Sequence, residues 1–196
     1  MLHYLFIFSA FLASFPSIAK DPIERLGVPG PIDFHKTSYN LAWSSKPNDV
    51  YYIQEYLPKG ELSEHFNEML TIDLLVKDIS VHDAVEKKVE ELDARKKSDP
   101  LCQDEVTTSP DGSESIVDFV MSEHKGEELT VMEFNVYRYR QIDLGNKKKG
   151  LLLFAYSKRA YGNDITPLLK NLSSLRQEFI NAMILSEMPS IHLIDK

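Results

Sequence analysis

The chain is poor in cysteine and in positive charge, and each shortage excludes a class of protein. Cys102 is the single cysteine among 196 residues, which excludes an internal disulfide framework and a cysteine-rich zinc site. Lys and Arg number 22 against 30 Asp and Glu, so the net charge is -8. Because binding to phosphates needs a positive field, we do not expect the chain to bind nucleic acid.

The chain also lacks the motifs that mark many enzymes and metal proteins. It has no G-x-S-x-G elbow, no P-loop and no G-x-G-x-x-G, and its six histidines fall in separate segments. The sequence therefore predicts no metal site, no cofactor and no catalytic nucleophile. Acidic residues are abundant, but solvated helix faces account for most of them, so no acid–base pair is assigned.

The first nineteen residues contain no Asp, Glu, Lys or Arg and include a nearly continuous apolar run. That run is shorter than the roughly 20 residues needed to span a bilayer. Ser17 and Ala19 fit a small-residue cleavage site with Lys20 as the first mature residue. Residues 1–19 therefore predict a signal peptide, with an uncleaved anchor as the alternative. We expect an exported chain, periplasmic or secreted, with no stable membrane span after cleavage.

Export would place the thiol of Cys102 in an oxidising compartment. Three roles are then open to it: a small buried hydrophobe in a strand, a bridge to another chain, or a reactive thiol. Its isolation from any local motif favours the buried role.

The mature chain reads as an extended lead-in over residues 20–38, with three prolines and two glycines in its first part, followed by one α+β domain over residues 39–196. Alternating apolar residues and turn signals place the strands. The expected strands are 39–44, 50–57, 71–76, 101–107, 115–122, 129–141 and 151–159. The last four form an antiparallel meander.

Three helices complete the expected fold, which is a mostly antiparallel sheet flanked by helices. A short one is predicted at 63–69, and a longer one from Val81 to about Lys97 begins at the capping box of Ser80 and Asp83. Val81, Ala84, Val85, Lys88, Val89 and Leu92 mark one face of this longer helix. The last helix starts after Asn163 or Asp164 as its cap and carries a broad apolar stripe that must cover a sheet or a partner.

A set of aromatic and charged residues on the longest strand is the first candidate binding site. Alternation places Glu133, Tyr137 and Tyr139 on the face opposite the apolar residues of that strand. Arg138, Arg140 and Arg159 are expected near the border of this site. Tyr and Arg are typical of protein interfaces, so this face is predicted to bind a partner. The alternative is ordinary packing, in which a helix covers the tyrosines and the arginines pair with acids.

A second candidate lies where the last strand ends. Arg159 and Tyr161 precede the start of the last helix, and a basic, aromatic strand end beside a helix N-terminus could hold an anion. The alternative is a solvated strand end.

The sequence resembles the PsbP-like family in one short region. Residues 56–61 (Tyr-Leu-Pro-Lys-Gly-Glu), followed by Phe66 and by Met-Leu-Thr at 69–71, are similar to the entry of that family's domain. The resemblance would cover residues 39–185. It implies an α/β/α sandwich that mainly binds other proteins, with no shared catalytic residues. The chain departs from the family in having neither a transit sequence nor a lipidation cysteine.

These observations lead to a ranked set of functions. The first is a soluble exported accessory or binding protein that acts through an interface with another protein. The alternatives are a small hydrolase and a small-molecule carrier with a site not visible in the sequence. A deep pocket with converging ionisable groups would favour the enzyme. A flat exposed aromatic patch would favour the protein-binding function, and a closed apolar cavity would favour the carrier.

Overall fold

The computed structural model describes residues 21–194, so the predicted signal segment 1–19 lies outside the described residues. Eight strands and two helices make a mixed α+β fold, as the sequence predicts. The strands are β1 (Ile32–Phe34), β2 (Thr37–Asn48), β3 (Tyr51–Pro58), β4 (Glu68–Leu75), β5 (Gln103–Thr108), β6 (Glu114–Lys125), β7 (Glu128–Asp143) and β8 (Lys149–Tyr161). The helices are α1 (Val81–Arg95) and α2 (Ile165–Leu185). Neither helix of this part of the chain is long and apolar enough to cross a membrane.

The strands form one antiparallel sheet in the order β1-β2-β3-β4-β8-β7-β6-β5. It consists of two meanders, β1 to β4 and β5 to β8, which join where β4 pairs with β8 over its whole length. The second meander confirms the prediction from alternation. Its β7 is the longest of the eight strands and extends beyond the predicted range at both ends.

Each face of the sheet is covered by one helix, and strand alternation decides which residues each helix covers. Phe134 and Val136 of β7 belong to the larger core under α2. Tyr139 belongs to the smaller core under α1, with Tyr137 packed against it. Burying a large apolar side chain contributes roughly 1.5 to 3 kcal/mol. The two faces therefore hold separate cores, and successive residues of β7 belong to opposite sides of the molecule.

Ser80 is the N-cap of α1, as predicted, and makes one of the two bonds of a capping box. Ser80 Oγ accepts a hydrogen bond from the backbone N–H of Asp83 at 3.0 Å, which satisfies one of the free amides of the first turn. The helix ends at Arg95, two residues before the predicted end. For α2, Asp164 occupies the cap position but makes no side-chain capping bond, and a short 3₁₀ turn over residues 162–164 leads into the helix instead.

The short helix predicted at 63–69 is wrong. Leu62 and His65 form an isolated bridge, and β4 begins at Glu68 and pairs along β3 and β8. A helix of seven residues makes few internal hydrogen bonds, whereas a central strand pairs on both sides. Over only seven residues, the helical spacing of apolar side chains therefore does not outweigh the pairing of strands in the sheet.

The stretch predicted as an extended lead-in contributes to the domain. It contains β1, which forms a hairpin with β2, and both Leu26 and Phe34 are buried in the core under α2. The backbone N–H of His192 donates to the carbonyl of Leu26 at 2.8 Å, so the C-terminal tail pairs with this stretch.

Candidate functional site

A cavity of about 110 Å³ lies between α1 and the sheet. Its floor follows from the sheet register, because Asp73 of β4 pairs with Leu153 of β8, and Leu153 pairs with Tyr139 of β7. Leu75, Ile79 and Leu151 line its apolar part, and Ala84, Lys87, Lys88 and Glu91 line it from α1. The helix α1 packs on β5, β6 and β7. The cavity is the space beside this helix, above β4 and β8.

Asp73 is the most unusual residue of the cavity. Its side chain is 4% exposed, and Oδ1 has no hydrogen-bond partner among the described residues. The hydroxyl of Tyr51 donates to the carboxyl group. Burial raises the pKa of Asp73 well above its ordinary value, and the nearby carboxylate of Glu55 raises it further. An unsatisfied buried carboxyl is costly, and such groups concentrate at functional sites.

Lys88 is a buried cation on the helix side of the cavity. It is 5% exposed, and its Nζ lies 3.2 Å from Glu91 Oε1. The same atom lies 4.7 Å from the ring centre of Phe119 and 5.4 Å from that of Tyr137, which are cation–π contacts. Burial lowers the pKa of Lys88, while the charge of Glu91 opposes that change. The charge of Lys88 is thus balanced within the wall of the cavity.

The sheet surface next to the cavity is partly open. Trp43 of β2 is opposite Glu55 of β3, which is opposite Thr71 of β4, and all three are half-buried. Burial raises the pKa of Glu55 to about 7, although a hydrogen bond from Ser63 lowers it. The cavity therefore adjoins a surface that carries a second carboxyl group with a raised pKa.

The predicted binding residues divide between the two faces of the sheet. Five lie on the α1 side: Glu133, Tyr137, Tyr139, Arg159 and Tyr161. Tyr139 is buried as part of the cavity wall, and Tyr137 is half-buried in an edge-to-face contact with Phe119 at 4.8 Å. The structure brings part of the predicted set to the cavity, but as walls rather than as a flat exposed patch.

Arg159 and Tyr161, the second candidate, already have intramolecular partners. Arg159 Nε donates to Glu133 Oε2 at 2.7 Å, and its guanidinium lies 4.1 Å from the ring centre of Phe66. Tyr161 donates to the carbonyl of Phe66 at 3.1 Å and stacks on His65. These contacts secure the loop between β3 and β4.

Arg138 and Arg140 lie on the α2 side. Arg138 Nε donates to Glu114 Oε2 at 2.6 Å, and Nη1 donates to the carbonyls of Met183 and Ser186 at 2.7 and 2.8 Å. Arg140 is more exposed and also pairs with Glu114. Arg138 therefore binds carbonyls at the C-terminal end of α2 and does not border the tyrosines.

Sequence reasoning missed Asp73 and Tyr51 and placed Lys88 without assigning it a role. Two signals could have found them: Asp73 is a carboxylate inside an apolar strand, and Lys88 is a cation on the apolar face of a helix. Cys102 is buried, and burial raises the pKa of its thiol. Across residues 21–194, no three His, Cys, Asp or Glu side chains gather as a metal site would require.

One protein-family model matches residues 26–188, and the chain therefore belongs to that family. The match spans both helices and all eight strands, including the cavity. No curated protein and no solved structure matches the chain.

Proposed function

We propose that this member of the family is an exported binding protein that holds a small molecule in the cavity between α1 and the sheet. The observation that carries the proposal is Asp73, which lines the cavity and whose buried Oδ1 has no hydrogen-bond partner among the described residues. Leaving such a group unsatisfied costs about 1 to 3 kcal/mol. A bound molecule with a hydrogen-bond donor would remove that cost.

The shape and the lining of the cavity support the proposal. Small-molecule sites are mostly apolar with a few placed polar groups, and here three leucines line the same cavity as Asp73, Tyr51 and Glu91. An apolar cavity of roughly 150 Å³ accommodates benzene, so a volume of about 110 Å³ suits a ligand of slightly smaller size. The uncharged start of the chain supports export.

A pair of substitutions on α1 tests this function. Ala84 lines the cavity, whereas Ala94 is exposed on the same helix. Ala84→Leu should fill the cavity, and Ala94→Leu adds the same atoms to the solvent side. In a thermal-shift screen of small amines, alcohols and acids, we expect compounds that raise the Tm of wild type and Ala94→Leu but not of Ala84→Leu. Compounds that stabilise all three chains equally, or none that stabilises any, would contradict the proposal.

A second function, binding to another protein, is favoured by the open sheet surface next to the cavity. Trp43, Ile53, Met69 and Tyr137 are half-buried there, and aromatic residues often carry interface energy. The PsbP-like resemblance belongs to this proposal, and the placement of α1 and α2 on opposite faces of the sheet supports it.

Its test uses the half-buried Tyr137 in place of the buried Tyr139, and a thermal melt of each variant comes first, because Tyr137 also packs on the core under α1. A partner captured from the native extract should bind Tyr137→Ser about tenfold more weakly than wild type, and Arg140→Ala on the opposite face should bind normally. Equal capture by all three chains would remove this surface from consideration.

A further inference from the structure

We infer that the ligand of the cavity is an organic ammonium ion with a short apolar body, held by the carboxylate of Asp73. The inference rests on the proposed function and names the class of its ligand. Asp73 supplies the unpartnered acceptor at the floor of the cavity, and the leucines supply a surface for a hydrocarbon chain.

The charges around Asp73 favour a cation. From β3 it is faced by Tyr51 and Glu55, and from β7 by Tyr137 and Tyr139. None of these four can carry a positive charge, and Glu55 adds a second carboxyl group. Beside a buried carboxyl group, a cation would gain more from this field than it would in solvent.

The two lysines on the α1 side of the cavity do not neutralise that field. Lys88 is paired with Glu91, and its Nζ lies over the rings of Phe119 and Tyr137. Lys87 is exposed on the helix. A ligand ammonium is therefore the cation that would complete the floor of the site.

The shape of the cavity suits such a ligand. An ammonium group beside the carboxyl group of Asp73 would lie near the aromatic walls of Tyr51 and Tyr139, which would add cation–π attraction. An alcohol could also donate to this carboxyl group but would bring no charge. A carboxylate would meet the carboxyl group of Asp73 and be repelled once that group ionises.

Binding of an ammonium ion should be linked to the proton of Asp73. Burial and Glu55 raise the pKa of Asp73, so the carboxyl group of the empty site is biased toward its protonated form. An ammonium ion binds the ionised form, and binding therefore releases the proton to solvent. Affinity should increase with pH until the amine itself loses its proton, at a pH near 10.

Three probes with one hydrocarbon body test the ligand class: n-butylamine, n-butanol and butyrate. Calorimetric titration at pH 8 should show n-butylamine binding at least tenfold more tightly than n-butanol, and no binding of butyrate. The affinity for n-butylamine should be weaker at pH 6 than at pH 8, while that for n-butanol should change little.

Asp73→Asn tests the role of the carboxylate, since it keeps the shape of the side chain and removes the charge. We expect the variant to bind n-butylamine and n-butanol equally, whereas Asp111→Asn, in an exposed turn, should behave as wild type. If Asp73→Asn does not fold, the probe ranking and the pH dependence of the wild-type protein decide the question.

The outcomes separate this inference from the proposed function. If n-butanol binds as tightly as n-butylamine, or butyrate binds best, the ammonium class is overturned while the cavity remains a ligand site. If no probe binds and Ala84→Leu is as stable as wild type or more so, the cavity holds only water and both statements fail.

Discussion

Arg138 shows what a single side chain of the longest strand does in this fold. Its guanidinium donates to two carbonyls at the C-terminal end of α2 and to Glu114, so it joins a helix end to the sheet. The last carbonyls of a helix have no partners within the helix, and a buried arginine satisfies them here. Arg140, two residues further along the strand, shares Glu114, and its side chain is 41% exposed.

Arg138→Ala should therefore destabilise the fold. The variant leaves the carbonyls of Met183 and Ser186 without this donor, and an unsatisfied buried acceptor costs about 1 to 3 kcal/mol, whereas Glu114 keeps Arg140 as a partner. Arg140→Ala should cost less than about 1 kcal/mol, since exposed pairs contribute little. Urea unfolding of both variants compares the two costs. Equal losses would mean that the contacts of Arg138 with α2 contribute nothing of their own.

Glu55 predicts a pH dependence of stability. Burial raises its pKa in the folded chain to about 7, against about 4.3 for an unfolded glutamate. Between these two values the folded state binds more protons than the unfolded state, so the free energy of unfolding falls as pH rises. The stabilising contribution is complete below about pH 4.3 and is lost as pH passes through about 7.

Glu55→Gln should remove the part of the decline in unfolding free energy with pH that Glu55 causes. The Glu55 carboxylate also helps to raise the pKa of Asp73, so the difference between the two chains reports Glu55 together with its effect on Asp73. The measurement is urea unfolding at pH 5 and at pH 8 for both chains. An identical loss of stability between the two pH values would show that Glu55 titrates as an ordinary surface carboxylate.

At the scale of elements, Phe179 is a main aromatic contact between α2 and the sheet. Phe179 is buried under the helix, stacks on Tyr156 with ring centres 4.3 Å apart, and lies near Phe34 of β1. These contacts attach α2 to both meanders of the sheet. Leu185, at the end of the same helix, is 83% exposed.

Phe179→Ala should lower the free energy of unfolding by about 3 to 5 kcal/mol, through lost burial and a cavity that the surrounding residues cannot close. Leu185→Ala should change it by less than about 0.5 kcal/mol, as expected for a surface position. Thermal unfolding of the two variants measures the difference. A small effect of Phe179→Ala would show that α2 is held mainly by its other contacts.

The sequence predicts most of the elements because their signals are local. Alternation over ten or more residues identifies β7, and the capping box identifies the start of α1, since neither depends on distant residues. The prediction of a helix at 63–69 is wrong because a short helical pattern competes with the pairing of β4. That pairing involves β8, some ninety residues later in the chain. Local spacing carries no information on that pairing.

The candidate site was predictable only in part. Tyr139 was placed on the correct strand and face, but its partner in the cavity, Asp73, comes from a strand far away in the sequence. The adjacency of the two depends on the order β4-β8-β7, which alternation does not specify. Alternation alone places Arg138 and Tyr139 on opposite faces of the sheet. Which helix covers each face depends on where the helices pack.

At the scale of the whole molecule, export makes a direct prediction. The uncharged apolar start and the Ser17-Ile18-Ala19 sequence predict cleavage before Lys20. N-terminal sequencing of the natively expressed protein should give Lys20 as the first residue, and Ala19→Arg should slow or block processing. A native chain that begins at Met1 and stays in the cytosol would contradict export.

The central claim is that the space between α1 and the sheet is a ligand site. The most direct measurement is a two-dimensional NMR titration of the ¹⁵N-labelled protein with n-butylamine, recorded on wild type and on Ala84→Leu. We predict saturable shifts of the amides around Asp73, Ala84 and Leu153 in the wild-type protein and their loss in Ala84→Leu. Shifts that cluster elsewhere, or that are the same in both chains, would contradict the account.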